Sequence, residues 1–335
     1  MKLTKKNILI FALCAVLTLC FVICCVIYNK TADTLEAQHT AERWRGGSET
    51  PYAHISVFRS GSDAMNYGDI YSFRSGIKSA LIGASFDVEA NENLTNDAFC
   101  AESTISVSSA RSKDVSATLY AVGGDFFVFH PMKLSSGSYI RERDLNDDLV
   151  VIDRELSWSL FGSVDTVGLP LFVGDREYFV AGVVTRDDDF FSKKTDGAVC
   201  CIYMPFAAVC DYNQNAITSY EVVMPNSVEN FALDIVKGLA SSGEIVENST
   251  RFSLGNISDL IFSFGKRALA SGGVTVPNWE SAARLCEDYL SLITVIAAVC
   301  LLLPVIFTVV LIVLGYKALK KTGRRMVTKI SDKIR

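Results

Sequence analysis

Histidine is scarce in this chain of 335 residues, present only as His39, His54 and His130. No H-E-x-x-H helix and no G-x-S-x-G turn accompanies them, so the zinc-peptidase and α/β-hydrolase signatures are missing. No G-x-x-x-x-G-K-[ST] phosphate loop occurs either, and this sequence hydrolyses no ATP through a P-loop. A Ser/His/Asp triad stays open, because its members need not be sequential. Cysteine is not scarce, but C-x-x-C pairs are absent, which argues against a structural zinc site. Cys14, Cys20, Cys24, Cys25 and Cys300 lie in apolar runs, where they pack as small apolar residues. The other five are Cys100, Cys200, Cys201, Cys210 and Cys286. Their number is odd, and a pair such as Cys100 with Cys200 or Cys201 cannot be assigned from spacing. Buried thiols in a mostly unbridged domain are the expectation. No catalytic, cofactor-binding or metal-ligating residue is singled out.

Charge is missing from two long stretches, Asn7 to Tyr28 and Leu290 to Tyr316. Each is long enough to cross a hydrocarbon core of roughly 30 Å as a helix. The first exceeds the roughly 7–15 apolar residues of a cleaved signal peptide and lacks a small-x-small site after it. Leu19 before Cys20 and Ile23 before Cys24 do not suit a lipoprotein signal. A retained helix is the expectation. Lys2, Lys5 and Lys6 precede the first run. Lys317, Lys320, Lys321, Arg324, Arg325, Lys329, Lys333 and Arg335, opposed only by Asp332, follow the second. The positive-inside rule puts both basic ends in the cytoplasm. Of the net charge of −5, the ends carry +3 and +7, which leaves about −15 for the rest. The region between the runs is thus extracytoplasmic and acidic, and no basic surface remains there for nucleic acid. The basic tail suits anionic lipid head groups of the bilayer.

The outer region alternates strands and helices. Residues 29–49 are polar and extend the first helix as a stalk to about Gly46-Gly47. His54 to Phe58 forms a strand. Ile70, Phe73, Ile77 and Leu81 recur at helical steps after Tyr67-Gly68-Asp69, and a strand follows near Ala84–Glu89. A second β-α-β unit comprises Ser219–Met224, a helix over Val228–Leu239 with Ser227 as N-cap, and Glu244–Asn248. Between them, Ser103–Ser108, Ala117–Val122, Val150–Asp153, Pro170–Val173 and Tyr178–Val184 are β-type runs, with one short helix from Arg154 to Phe161. Residues 257–271 form an amphipathic helix that Gly272-Gly273 ends. From Pro277 a helix runs through Trp279 and Tyr289 into the second apolar run, its charged residues standing in water as a stalk.

Asp187-Asp188-Asp189 is the densest acidic cluster. It lacks the Gly and distal Glu of a calcium loop, so an exposed turn is expected. Asn93, Asn248 and Asn256 open glycosylation-type triplets, which are common by chance. Phe190-Phe191 and Phe126-Phe127 with Phe129 are either core or an exposed aromatic surface, with core favoured.

The run Tyr120-Ala121-Val122-Gly123-Gly124-Asp125-Phe126-Phe127 is followed by Leu134-Ser135-Ser136-Gly137, Asp144, Val150-Val151-Ile152-Asp153 and Leu160-Phe161-Gly162. Val167-Gly168, Gly174 and Tyr178-Phe179-Val180-Ala181-Gly182-Val183-Val184 complete it. In order and spacing this set resembles the extracytoplasmic core domain of MacB-type ABC transporter permeases. Its residues read as scaffold: Gly123-Gly124 and Gly137 for tight or close backbone, Asp125 and Asp144 for turns or caps, and Gly162 as a C-cap.

The resemblance implies an α+β membrane protein, two transmembrane helices flanking an extracytoplasmic domain in which a porter-like part of two β-α-β units carries an inserted strand-rich lobe. The divisions expected are 1–6 cytoplasmic, 7–28 first membrane helix, 29–49 stalk, 50–99 first β-α-β unit, 100–205 distal lobe, 206–276 second unit with its amphipathic helix, 277–289 stalk, 290–316 second membrane helix and 317–335 basic cytoplasmic tail. With the two apolar runs and basic ends giving a two-pass plasma-membrane topology, the resemblance implies a subunit that is not an enzyme, moved by a separate ABC ATPase subunit, with a second permease chain as an open addition. Such permeases usually have four membrane helices, and the last two are missing from this sequence. The alternative is a stand-alone cell-surface recognition or signalling protein that uses the same core domain. An envelope hydrolase is a more remote reading.

Overall fold

A computed structural model describes residues 5–89, 91, 93–144, 146–210, 216–263 and 276–334. The helices are α1 (Lys5–Ala32), α2 (Thr40–Arg45), α3 (Tyr67–Gly83), α4 (Phe126–Phe129), α5 (Arg154–Phe161), α6 (Phe190–Thr195), α7 (Phe206–Val209), α8 (Phe231–Leu239), α9 (Leu254–Ser263) and α10 (Asn278–Ile334). The strands are β1 (Tyr52–Phe58), β2 (Asn96–Ser108), β3 (Val115–Gly124), β4 (Lys133–Gly137), β5 (Leu149–Asp153), β6 (Pro170–Val173), β7 (Arg176–Thr185), β8 (Cys201–Pro205), β9 (Ser219–Pro225) and β10 (Glu244–Glu247). The chain divides into two compact units, 1–33 with 288–335, and 34–287.

The first unit holds the apolar helices. Ile8–Ala32 and Asn278–Lys317 are each long enough to cross a bilayer, and each contains an 18-residue stretch of mean hydropathy 3.1. Phe11 and Phe307 meet edge-on with ring centroids 5.1 Å apart. Pro304 sits inside α10.

The second unit is built on one sheet in the order β10-β1-β9-β2-β3-β8-β5-β7-β4, with β6 bridging β2 and β7. β1 is antiparallel to both β10 and β9, and β9 is antiparallel to β2. The unit β1-α3-β2 and the unit β9-α8-β10 therefore each straddle a strand of the other, as interleaved split β-α-β units. Ile70, Phe73, Ile77 and Leu81 of α3 join Ile55, Val57, Val222, Ala232 and Val236 in one core. Leu156 and Leu160 of α5 pack with Val150, Ile152, Val180 and Ile202 in a second core. Phe126, Phe127 and Phe129 join Tyr120, Tyr203 and Val151 in a third.

Several expectations are corrected. The stalk over 29–49 is not one continuous helix. α1 ends at Ala32, a 3-10 turn spans Glu36–His39, and α2 ends at Arg45. Leu35, Gln38, Thr40 and Ala41 are buried, and Thr40 Oγ1 and Arg43 donate to the carbonyls of Phe129 (3.3 Å) and Val128 (3.0 Å). Burial of these residues against the domain competes with an extended helix in water. No strand forms at 84–89. Phe86 packs on Phe231 at 6.3 Å, and the unit's second strand starts at Asn96. Ser227 does not cap α8. That helix starts at Phe231 behind Asn230, whose φ is +64°, a conformation Asn tolerates better than most, and the Asn226 side chain accepts from Ala232 N at 3.1 Å. α9 starts at Leu254 and is followed to Ser263. The rest of the expected 257–271 helix and Gly272-Gly273 lie outside the described residues.

α3 and α5 fall where sequence puts them, because each is closed by its own polar residues. Asn66 and Asp69 form a capping box on α3. Asp153 accepts from Leu156 N at 2.8 Å on α5, and Gly162 ends α5 at φ +71°.

Candidate functional site

β1 and β9 are hydrogen-bonded in register, with Ser56 opposite Glu221 and His54 opposite Val223. Strand alternation sends Ala53, Ile55 and Val57 into the first core and leaves His54 and Ser56 on the other face. That face carries a buried polar relay. Ser56 Oγ donates to Glu221 Oε1 at 3.0 Å. Asn248, just past β10, donates through Nδ2 to Ser56 Oγ at 2.7 Å. On its other side Glu221 Oε2 accepts from His130 Nε2 at 2.5 Å. His54 Nε2 stands 3.9 Å from Glu221, and neither of its ring nitrogens has a hydrogen-bond partner. Burial is deep, with His54 1%, Ser56 0%, Glu221 3% and His130 6% exposed.

Arg251 extends the relay to α10. Its guanidinium approaches Asn248 Oδ1 at 3.4 Å and grips Glu280 with two bonds of 2.6 and 2.8 Å. Its Nε donates to Glu287 at 2.6 Å. Arg284 donates to Glu280 at 2.7 Å and reaches Glu244 of β10 at 2.7 Å. Glu280, Arg284 and Glu287 follow four- and three-residue steps on one helix face. This corrects the expectation of a stalk whose charges stand in water, because Glu280 is 1% exposed. The sequence signal was there: two carboxylates seven residues apart on one helix face, with Arg251 soon after β10 to meet them.

The electrostatics follow from burial. Desolvation opposes ionisation of Glu221, but His130 and then His54 outweigh it and hold the carboxyl at about 2. Desolvation pushes His54 down to about 4 against the pull of Glu221. Burial likewise opposes the charge on Arg251, and Glu280 with Glu287 more than offsets it, so its pKa is raised. Ser56 is spent on Glu221 rather than on a histidine, and is fully enclosed. The relay therefore lacks the Ser-to-His contact and the open nucleophile of acyl-transfer chemistry.

The other residues of interest separate clearly. Phe126, Phe127, Phe129 and Phe191 are buried, as core packing requires, and Phe190 is exposed. Asp189 accepts from Phe191 N and Ser192 N as the N-cap of α6, so part of the acidic run is structural. Asn248 is buried in the relay, which removes its triplet as a glycan acceptor. All ten cysteines are free thiols, with Cys100, Cys200, Cys201 and Cys286 buried. A side chain on Gly124 (φ +65°) would place Cβ 2.2 Å from Asp97 O, so that position needs glycine. Nearby, Arg74 holds Asp97 with bonds of 2.7 and 2.9 Å and Glu142 with one of 2.7 Å. That cluster borders a cavity of about 410 Å³. Its charges are already paired.

The residues from the end of α1 to the end of α8 match one family, the MacB-like periplasmic core domain, over 25–238. The chain belongs to this family. Its MacB-like core carries both split β-α-β units up to α8. The "Macrolide export ATP-binding/permease protein MacB" of Neisseria meningitidis is 26% identical over 184 residues, covering 50% of this chain and 28% of that protein. "MacB 2" of Aeromonas hydrophila is 27% identical over the same length and the same shares. The match thus spans little more than a quarter of the relatives' length. The periplasmic region of MacB from Actinobacillus actinomycetemcomitans aligns at 18% identity and TM-score 0.41, over 69% of this chain and 99% of that one. The extracellular domain of the noncanonic ABC-type transporter YknZ from Gram-positive bacteria aligns at 13% identity and TM-score 0.39, over 58% and 98%. Its family and its two long apolar helices together make this chain a membrane protein with a MacB-like extracytoplasmic domain.

Proposed function

We propose that this chain is a non-catalytic membrane subunit of a MacB-like ABC transporter or mechanotransmission complex, whose outer domain is moved by a separate ATPase subunit. The observation that carries this reading is the grip of Arg251 on Glu280 and Glu287 of α10. α10 is helical without a break from Asn278 to Ile334, so displacement of its apolar part is carried to residues that hold β1 and β9 through Asn248, Ser56 and Glu221. The reading places both basic ends in the cytoplasm and residues 29–289 outside the plasma membrane. It takes 50–99 and 206–276 as the porter-like part, supported by the interleaved order β10-β1-β9-β2, and 100–205 as the distal lobe. A second permease chain is compatible with this assembly.

The test is purification of the full chain from its native membrane in mild detergent, with identification of accompanying chains. An ATP-binding chain in stoichiometric amount is the expected result. Repeated recovery of the chain with no nucleotide-binding companion would favour the stand-alone recognition reading instead.

A further inference from the structure

The sheet ends in β4 on one side and β10 on the other, and the two edges are protected unequally. At β4 the pairing with β7 shifts register between Leu134 and Ser136, and Lys133 stands on the strand. Both features discourage a further strand. β10 keeps an unbroken register with β1. Just past its end, Asn248 N donates to His54 O at 2.8 Å. The alternation of an antiparallel ladder then turns the N–H and C=O groups of Ile245 and Glu247 away from β1. These four groups have no hydrogen-bond partner among the described residues.

The open edge borders a groove of about 600 Å³, which Leu233 of α8 and Ile257 and Leu260 of α9 also line. The groove is acidic. Glu229 and Glu247 line it and form no ion pair among the described residues. The one arginine there, Arg251, is held by Glu280 and Glu287. Burial raises the Glu247 carboxyl, Lys237 pulls it back down, and Glu229 pushes it up again. One lysine thus faces two carboxylates. Unpaired backbone groups along an edge receive an added strand, and the flanking side chains select its sequence. The apolar lining calls for apolar side chains at alternate positions, and the carboxylates call for cationic ones between them. A β10 strand from a second copy would bring the carboxylates of two chains together, which like-charge repulsion disfavours. We propose that β10 is a docking edge for an extended segment of another protein, one in which apolar residues alternate with lysine or arginine.

This edge goes beyond the transport reading and does not rest on it, since its occupancy is measured on this chain alone. The experiment is fluorescence anisotropy of the full chain in neutral detergent with labelled Val-Lys-Val-Lys-Val-Lys as the probe. Saturable binding at one per chain is expected. An added strand uses the N–H groups of alternate residues only. N-methylating either the valines or the lysines should therefore abolish binding, and N-methylating the other set should spare it. The peptide with glutamate in place of lysine should bind at least tenfold more weakly. Glu229→Lys with Glu247→Lys should weaken binding of the lysine peptide at least tenfold and keep the melting temperature. No saturable binding, an equal response to the two methylated peptides, or unaltered affinity in the double variant would each overturn the proposal. Dimerisation of the chain with no peptide bound would overturn it in favour of a second copy.

Discussion

At the scale of single residues, the least expected feature is an uncharged histidine sealed beside a carboxylate with neither nitrogen bonded. His54 is held at about 4 by burial, whereas an unfolded chain has it near ~6.5. Between those values the unfolded state binds the extra proton, so stability contributed here is present above about pH 6.5 and is lost as pH falls toward 4. Glu221, held at about 2, extends the loss in the same direction from about 4.5 downward. Asp153 acts oppositely, because burial raises its carboxyl to about 7 and the folded state then holds the extra proton. Comparison of wild type with His54→Leu cancels the contribution of Asp153, which the two proteins share. The variant should be at least as stable as wild type at pH 7.5, since no bond of the ring is lost. It should gain about 2 kcal/mol relative to wild type on acidification to pH 5. Thermal unfolding of the full chain in detergent at the two pH values checks this, and parallel shifts of both proteins would refute it.

Residues of this kind were the hardest to read in sequence. His54, His130 and Glu221 are 76 and 91 positions apart in succession, and only the β1–β9 register and the turn after α4 bring them together. Glu221 stands in Ser219-Tyr220-Glu221-Val222-Val223-Met224, where one carboxylate interrupts a strand buried along its whole length. A buried carboxylate demands a partner, and that demand is legible even when the partner is not.

At the scale of elements, legibility followed the number of agreeing local signals. α3 combined helical spacing with a capping box, and α5 combined an Asp cap with a closing glycine, so both were read to within two residues. β4 and β8 were not read. Lys133-Leu134-Ser135-Ser136-Gly137 is a polar edge strand, and Cys201–Pro205 is too short to show a period. At 84–89 the apolar Phe86 and Val88 mimic a strand but bury themselves against the first core without strand pairing. The start of α10 was located correctly and its setting was not, because charged side chains at helical spacing look the same whether water or a buried arginine faces them.

The energetic consequence belongs to this element. Arg251→Met leaves Glu280 with only Arg284 and strips Glu287 of its 2.6 Å partner, in surroundings where Arg251 and Glu280 side chains are 4% and 2% exposed. Breaking a buried pair from one side costs about 3–5 kcal/mol. The melting temperature of Arg251→Met should therefore fall sharply, and Glu280→Met added to it should restore much of the loss. A double variant no more stable than the single one would show that Arg251 acts by packing rather than by charge.

At the scale of the whole molecule, one continuous sheet joins the residues of both split β-α-β units to the strands between them. Motion delivered to β1 and β9 is thus delivered to a connected body, which suits a mechanical subunit better than a set of loosely tethered parts. Belonging to the MacB-like family accounts for this body. The membrane arrangement around it rests on apolar length and on the basic ends. Impermeant maleimide labelling of intact cells tests that arrangement most directly, because the native thiols of the domain are buried or half-buried. A cysteine replacing Asp175, in the exposed turn between β6 and β7, should react at once, and one replacing Lys333 should react only after the membrane is opened. Reaction of the Lys333 variant in intact cells, or protection of the Asp175 variant, would contradict the account.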